Sequence, residues 1–180
     1  MKFALCGVTL CLIAGGLVGC SSTPKAPDVA ANIRQSIDRA GIKNVSVDQD
    51  QTKGVITLNG RVPVIADKSR ADQIAQSLAQ GQVVANQIEV APQGMESVTR
   101  TVDEKLDKAI GSNLDAALIQ NGWDKAIRHS EKNGVVTLTG DVNSQQLRGD
   151  IERMAAAIPN VQQVVNEIEI KPDKHSPANS

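Results

Sequence analysis

Few residues in this chain of 180 are suited to covalent or acid–base chemistry: Cys6, Cys11 and Cys20, His129 and His175, and scattered carboxylates. A thiolate is a nucleophile and a metal ligand. All three thiols fall within the first twenty residues, so the body that follows can form neither a disulfide nor a thiolate site. His129 and His175 are far apart and lack the close companions of a ligand set, which predicts two surface histidines and no metal. Asp103, Glu104 and Asp107 open a helical stretch, where negative charge complements the positive helix end, so they are expected to cap it. No phosphate loop, nucleophile–base pair or carboxylate dyad stands out. The expectation is a protein that is not an enzyme and uses neither cofactor nor metal.

Cys20 is different because of what precedes it. Lys2, an apolar run from Phe3 to Val18 and the small residue Gly19 describe a secretory signal peptide over residues 1–19. The run is short of the roughly 20 apolar residues that span a bilayer. Leu17-Val18-Gly19-Cys20 resembles the bacterial lipobox. That resemblance implies a diacylglycerol on the Cys20 sulfur, cleavage just before it and acylation of the new N-terminus, making a covalent lipid the one non-protein group. Acyl chains at about 0.8 kcal/mol per buried methylene form a lasting anchor. Residues 20–27, polar and with two prolines, read as a lipidated N-terminus and tether. Ser21 stands where an Asp would suggest inner-membrane retention, so the implied location is the outer membrane, facing the periplasm.

Composition narrows the classes further. The net charge is −1, and without residues 1–19, which contribute only Lys2, 18 basic and 20 acidic residues leave −2. A nearly neutral body exerts no general attraction on nucleic acid. Phe3 lies in the leader, tyrosine is absent and Trp123 is the only aromatic residue of the body. Stacking of single-stranded bases is therefore excluded.

The elements that organise the body come twice. Gly54-Val55-Ile56-Thr57-Leu58-Asn59-Gly60-Arg61-Val62 matches Gly134-Val135-Val136-Thr137-Leu138-Thr139-Gly140-Asp141-Val142 at an offset of 80, and Val84–Val90 matches Val164–Ile170 in the same register. Val29, Ile33 and Ile37 in the first copy, and Ile110, Leu114 and Leu118 in the second, recur every four residues as on one helical face. Asp28 is placed to cap the first of these helices. First strands are expected at Asn44–Asp50 and Asp124–Ser130, turns at Lys53-Gly54 and Asn133-Gly134, and second strands at Val55–Leu58 and Val135–Leu138. A second helix follows in each copy, carrying Ala71, Ile74, Ala75 and Leu78, or Leu147, Ile151, Met154, Ala155 and Ile158. It ends at Gln80-Gly81 or Pro159-Asn160, before a last strand at Val83–Val90 or Val161–Ile170. The fold class is α+β: two tandem α-β-β-α-β units, each a three-stranded sheet with two helices on one face. Units at 28–91 and 101–171, a linker at 92–100 and a disordered tail at 172–180 complete the division. Units so small are expected to lean on each other.

Gly54-Val55-Ile56-Thr57-Leu58-Asn59-Gly60 with Val84–Val90, and Gly134–Gly140 with Val164–Ile170, resemble the paired signature strands of the BON domain family. With the lipobox, the chain is similar to the dual-BON outer-membrane lipoproteins. The resemblance implies a role in envelope integrity, with the membrane, anionic phospholipid or outer-membrane proteins as partners. It also implies an alternative, a stress-protective, chaperone-like protein of the periplasm. The shared glycines, Gly54, Gly60, Gly134 and Gly140, are expected to maintain the fold. Trp123, with Lys125, Arg128 and Lys132 nearby, is the candidate membrane or partner contact. Against anionic lipid, the second unit, Thr101–Pro172, has eight basic and eleven acidic residues and lacks clustered cations.

Overall fold

The computed structural model describes residues 25–171. The leader, Cys20, most of the tether, His175 and the tail from Pro172 lie outside the described residues. The first unit runs α1 (Ala30–Arg39), β1 (Val45–Asp50), β2 (Val55–Val62), α2 (Ile65–Leu78) and β3 (Val83–Val90). The second runs α3 (Glu96–Asn121), β4 (Ile127–Lys132), β5 (Val135–Val142), α4 (Gln145–Ala156) and β6 (Gln163–Ile170). Each sheet is a hairpin with a third strand laid parallel to the hairpin's second strand, in the orders β1-β2-β3 and β4-β5-β6. The α-β-β-α-β expectation holds in both copies.

Turn chemistry explains the hairpins. Asn133 and Gly134 both take positive φ, 50° and 77°, as a tight primed turn requires. In the first copy Gly54 alone does so, and the Asp50 carboxylate accepts from the Thr52 and Lys53 amides at 2.9 and 3.1 Å. Each sheet buries one face beneath its helices. Val47, Ile56, Leu58, Val62 and Ile88 meet Ile33, Ile37, Ala71 and Ala75, while Val136, Leu138, Val142 and Ile168 meet Ile110, Leu114, Leu118, Ile151 and Ala155. At about 1.5–3 kcal/mol per buried aliphatic side chain, these two cores supply most of the stability of each unit.

The other sheet faces pack against each other. Val55, Ala85, Val135 and Val165 form a buried cluster of their own. They alternate along the strands with the helix-covered residues, so the molecule stacks helices, sheet, sheet, helices. The contact is nearly two-fold. Val55 and Val135 are equivalent positions, as are Ala85 and Val165. Lys53 Nζ donates to Glu167 Oε2 at 2.6 Å, and at the exchanged positions Asn133 Nδ2 donates to the Gln87 carbonyl at 2.7 Å. Gln163 joins the two last strands: its side-chain carbonyl accepts from the Asn86 amide, and its side-chain amide donates to the Val84 carbonyl.

Several boundaries differ from expectation, each for a local reason. Residues 96–100 of the expected linker are the first turns of α3, because no helix breaker follows Gly94. Asp103, Glu104 and Asp107 therefore do not open that helix. The Asp107 carboxylate instead accepts from the Asn133 and Gly134 amides at 2.8 and 3.0 Å, bracing the β4–β5 turn. Asp28 does not cap α1. Gln49, on β1, reaches over so that its Oε1 accepts from the Val29 and Ala30 amides at 3.0 and 3.2 Å. β4 begins three residues later than expected, since the Ala126 and Ile127 amides both bond to the Trp123 carbonyl and close a turn. β6 starts at Gln163 because the Val161 amide is held by the Ile158 carbonyl. β2 and β5 run four residues further than expected, to Val62 and Val142.

Candidate functional site

Gly60 and Gly140 sit at the same place in the two hairpins, paired with Val45 and Ile127. Their φ angles are 129° and 133°, and a Cβ would stand 2.0 Å from the Asn44 carbonyl oxygen and 2.1 Å from that of Ala126. The first strand crosses directly over the glycine. Gly134 sits in a tight turn where a Cβ would come within 3.0 Å of the Gln162 side chain, while at Gly54 the nearest atom would be 3.9 Å away.

The expected contact residues do not converge. Trp123 is half-buried and packs on the core of the second unit. Its amide bonds to the Leu118 carbonyl at 2.9 Å, just after Gly122 ends α3 in a left-handed conformation. It walls a recess with Ile127, Val142, Leu147 and Ile151. Lys132 Nζ donates to Asn59 Oδ1 of the first unit at 2.6 Å, and Lys125 and Arg128 are exposed.

His129 departs from its expected surface position. It is half-buried, with Nε2 2.9 Å from Asp115 Oδ1 of α3 and Nδ1 2.5 Å from Glu131 Oε1 on the same strand. Burial opposes protonation of the ring, but hydrogen bonds to Asp115 and Glu131 outweigh it and hold its pKa above the ordinary value. His129-Ser130-Glu131 alternates as a strand does, so the His129–Glu131 pairing had a sequence signal; the approach of Asp115 had none. Among the described residues no group of three such side chains is arranged to hold a metal ion.

The second site that sequence reasoning did not find lies between the units. Met95, just before α3, and Val98, Val102 and Leu106 in its first half lie on one stripe, exposed by 51%, 56%, 49% and 40%. Leu106 and the 65%-exposed Ile65 of α2 face a groove of about 430 Å³, whose walls also hold Val90, Ile110 and Val161. Lys68, Glu89, Asp103 and Asp107 supply its charge. Glu89 Oε2 accepts from Arg61 Nη2 at 2.8 Å, while its Oε1 is buried with no hydrogen-bond partner among the described residues. Burial, together with the nearby Glu89 and Asp107 carboxylates, raises the Asp103 pKa, and burial lowers that of Lys68. Nothing in this groove pairs a nucleophile with a base. Its chemistry is apolar contact beside an excess of negative charge. No described helix is long and apolar enough to cross a membrane.

The BON domain family model matches the chain twice, over residues 26–92 and 103–172. No curated protein matches it. Among solved structures it is similar to the C-terminal domain of CdsD, a structural protein of the type III secretion system of Chlamydia trachomatis. The identity is 15% and the TM-score 0.34, covering 80% of this chain and 66% of that one. A second structure of CdsD is similar at 15% identity and a TM-score of 0.35, covering 82% and 94% of the two chains.

Proposed function

Since the chain belongs to the BON domain family through both of its repeats, we propose that it is a lipid-anchored docking protein of the bacterial outer membrane. In this reading Cys20 carries the acyl chains, and the body faces the periplasm and supports barrier integrity by engaging phospholipid surface or envelope proteins. The observation that carries the reading is the exposed stripe Met95, Val98, Val102 and Leu106 beside Ile65. Aliphatic surface left in water costs roughly 25 cal/mol per Å², so a contiguous stripe of it favours a covered state. Cys20 is five residues before Lys25, the first described residue, and five residues reach at most about 18 Å. The stack would therefore work close to the bilayer. Its small and slightly negative charge favours apolar contact over attraction to anionic headgroups.

The test is a deletion strain of the source bacterium, scored for sensitivity to detergent and vancomycin. It would be complemented with the wild type, with Cys20→Ala and with Val98→Ser/Val102→Ser. The wild type is expected to restore the barrier and both variants to fail, with acylation of the wild type confirmed by mass spectrometry. An unchanged barrier on deletion removes the integrity role, and full rescue by Cys20→Ala removes the anchor.

A further inference from the structure

The chain contains three Asn-Gly pairs, Asn59-Gly60, Asn121-Gly122 and Asn133-Gly134. Such a pair carries a chemistry of its own, because glycine has no side chain to shield its amide nitrogen from the asparagine carboxamide. The structure holds the three very differently. Asn59-Gly60 lies within β2, the central strand, where Gly60 is paired with Val45 on one side and Ile88 on the other. The Asn59 side-chain amide donates to Asp48 Oδ2 at 3.2 Å. Asn133-Gly134 is locked further. The Asp107 carboxylate accepts both of its backbone amides, and the Asn133 side-chain amide donates to the Gln87 carbonyl of the other unit. At Asn121-Gly122, among the described residues, the bonds stay within the last turns of α3. The Asn121 side-chain amide donates to the Ala117 carbonyl at 2.8 Å, and the Gly122 amide to those of Ile119 and Leu118. Both residues are exposed, and nothing lies within 4 Å of where a Gly122 Cβ would stand. A helix end of this kind frays at almost no cost.

We infer that Asn121 is a site of spontaneous backbone rearrangement, an irreversible modification that unseats Trp123 as the molecule ages. Hydroxide removes the proton of the Gly122 amide, whose nitrogen bonds to Asn121 Cγ. The Cγ–Nδ2 bond breaks and Nδ2 leaves as ammonia. Water then opens the five-membered imide at either carbonyl. The product at position 121 is aspartate, or isoaspartate with the main chain running through the former side-chain carbon. Both disturb the join between α3 and Trp123. A carboxylate repels the Ala117 carbonyl that the amide had served, and it sets negative charge at the negative end of the helix. Isoaspartate also lengthens the main chain between Leu118 and Trp123, which the bond from the Trp123 amide to the Leu118 carbonyl spans at 2.9 Å. The ring that closes the second core beside Ile127, Leu147 and Ile151 is thereby displaced toward water.

The experiment incubates the full chain in mildly alkaline buffer and digests samples over time. Mass spectrometry follows the gain of one mass unit at each Asn-Gly pair, with isoaspartate separated by its elution. Asn121 is expected to react at least about tenfold faster than Asn59 or Asn133, since the rate follows the population of the locally opened state. Trp123 is the only tryptophan, so its emission is expected to move to longer wavelength in step with the modified fraction. Asn121→Gln keeps the carboxamide but must close a six-membered ring, and is expected to hold the emission constant over the same period. An Asn121 that stays intact, or that reacts no faster than Asn133, overturns the proposal. So does a modified Asn121 with unchanged emission, or an Asn121→Gln whose emission drifts as the wild type's does.

Discussion

At Gly140 the chain has no room for even one methyl group. The Ala126 carbonyl occupies the space a Cβ would need, and the positive φ disfavours any other residue a second time. Gly41 shares the positive φ, at 81°, yet faces open space. Gly140→Ala is therefore expected to cost about 3–4 kcal/mol by urea denaturation, because strand β4 must move. Gly41→Ala is expected to cost only about 1 kcal/mol. Similar losses at the two sites would show that φ alone matters and that the crossing strand does not. Residues of this kind were legible beforehand, since Gly60 and Gly140 fall at matching places in the repeat and their type reports a backbone requirement. Glu89 was not. An alternating strand residue gives no sign of whether its outward face meets water or a second domain.

Among the elements, α3 does the most joining. Its second half fills the core of the second unit, its Asp107 braces the β4–β5 turn, and its Asp115 reaches His129 on β4. The His129 pKa is raised in the folded state, so the protonated ring stabilises the fold. That contribution is complete below the unfolded value of about 6.5 and disappears as the pH rises through the higher folded value. The melting temperature of the wild type should thus exceed that of His129→Gln most at about pH 6, with the gap narrowing by about pH 8.5. A gap that stays constant with pH would mean that the ring contributes by packing alone. The element order could be read from periodicity and turn residues, but the start of α3 could not. Pro92 and Gly94 announce a linker, and the spacing of Val98, Val102 and Leu106 looks like a helix face with no core to meet. It has none within its own unit.

For the whole molecule, the decisive contact is sheet on sheet. Val165 is 1% exposed in the small cluster it forms with Val55, Ala85 and Val135. Val165→Asp places a carboxylate there with no partner, and an unpaired buried charge is strongly destabilising. The expected outcome is that one cooperative thermal transition in the wild type becomes two, as the units lose their support for each other. A single sharp transition in the variant, near the wild-type midpoint, would refute this dependence. The sequence gives little notice of the contact. Thr57 and Thr137 alternate with Ile56, Leu58, Val136 and Leu138, so each outer face has the pattern of a solvated one, and only the smallness of each unit hints that it needs cover.

The near two-fold pairing of the sheets has a consequence for how the repeat works as one polypeptide. Each half presents to its sibling much the same surface that two separate copies would use to find each other. Joined through only residues 91–95 between β3 and α3, the halves meet at an effective concentration on the order of millimolar, whatever the abundance of the protein. Association that would otherwise vary with expression level becomes a fixed property of every molecule, intact even where the protein is scarce.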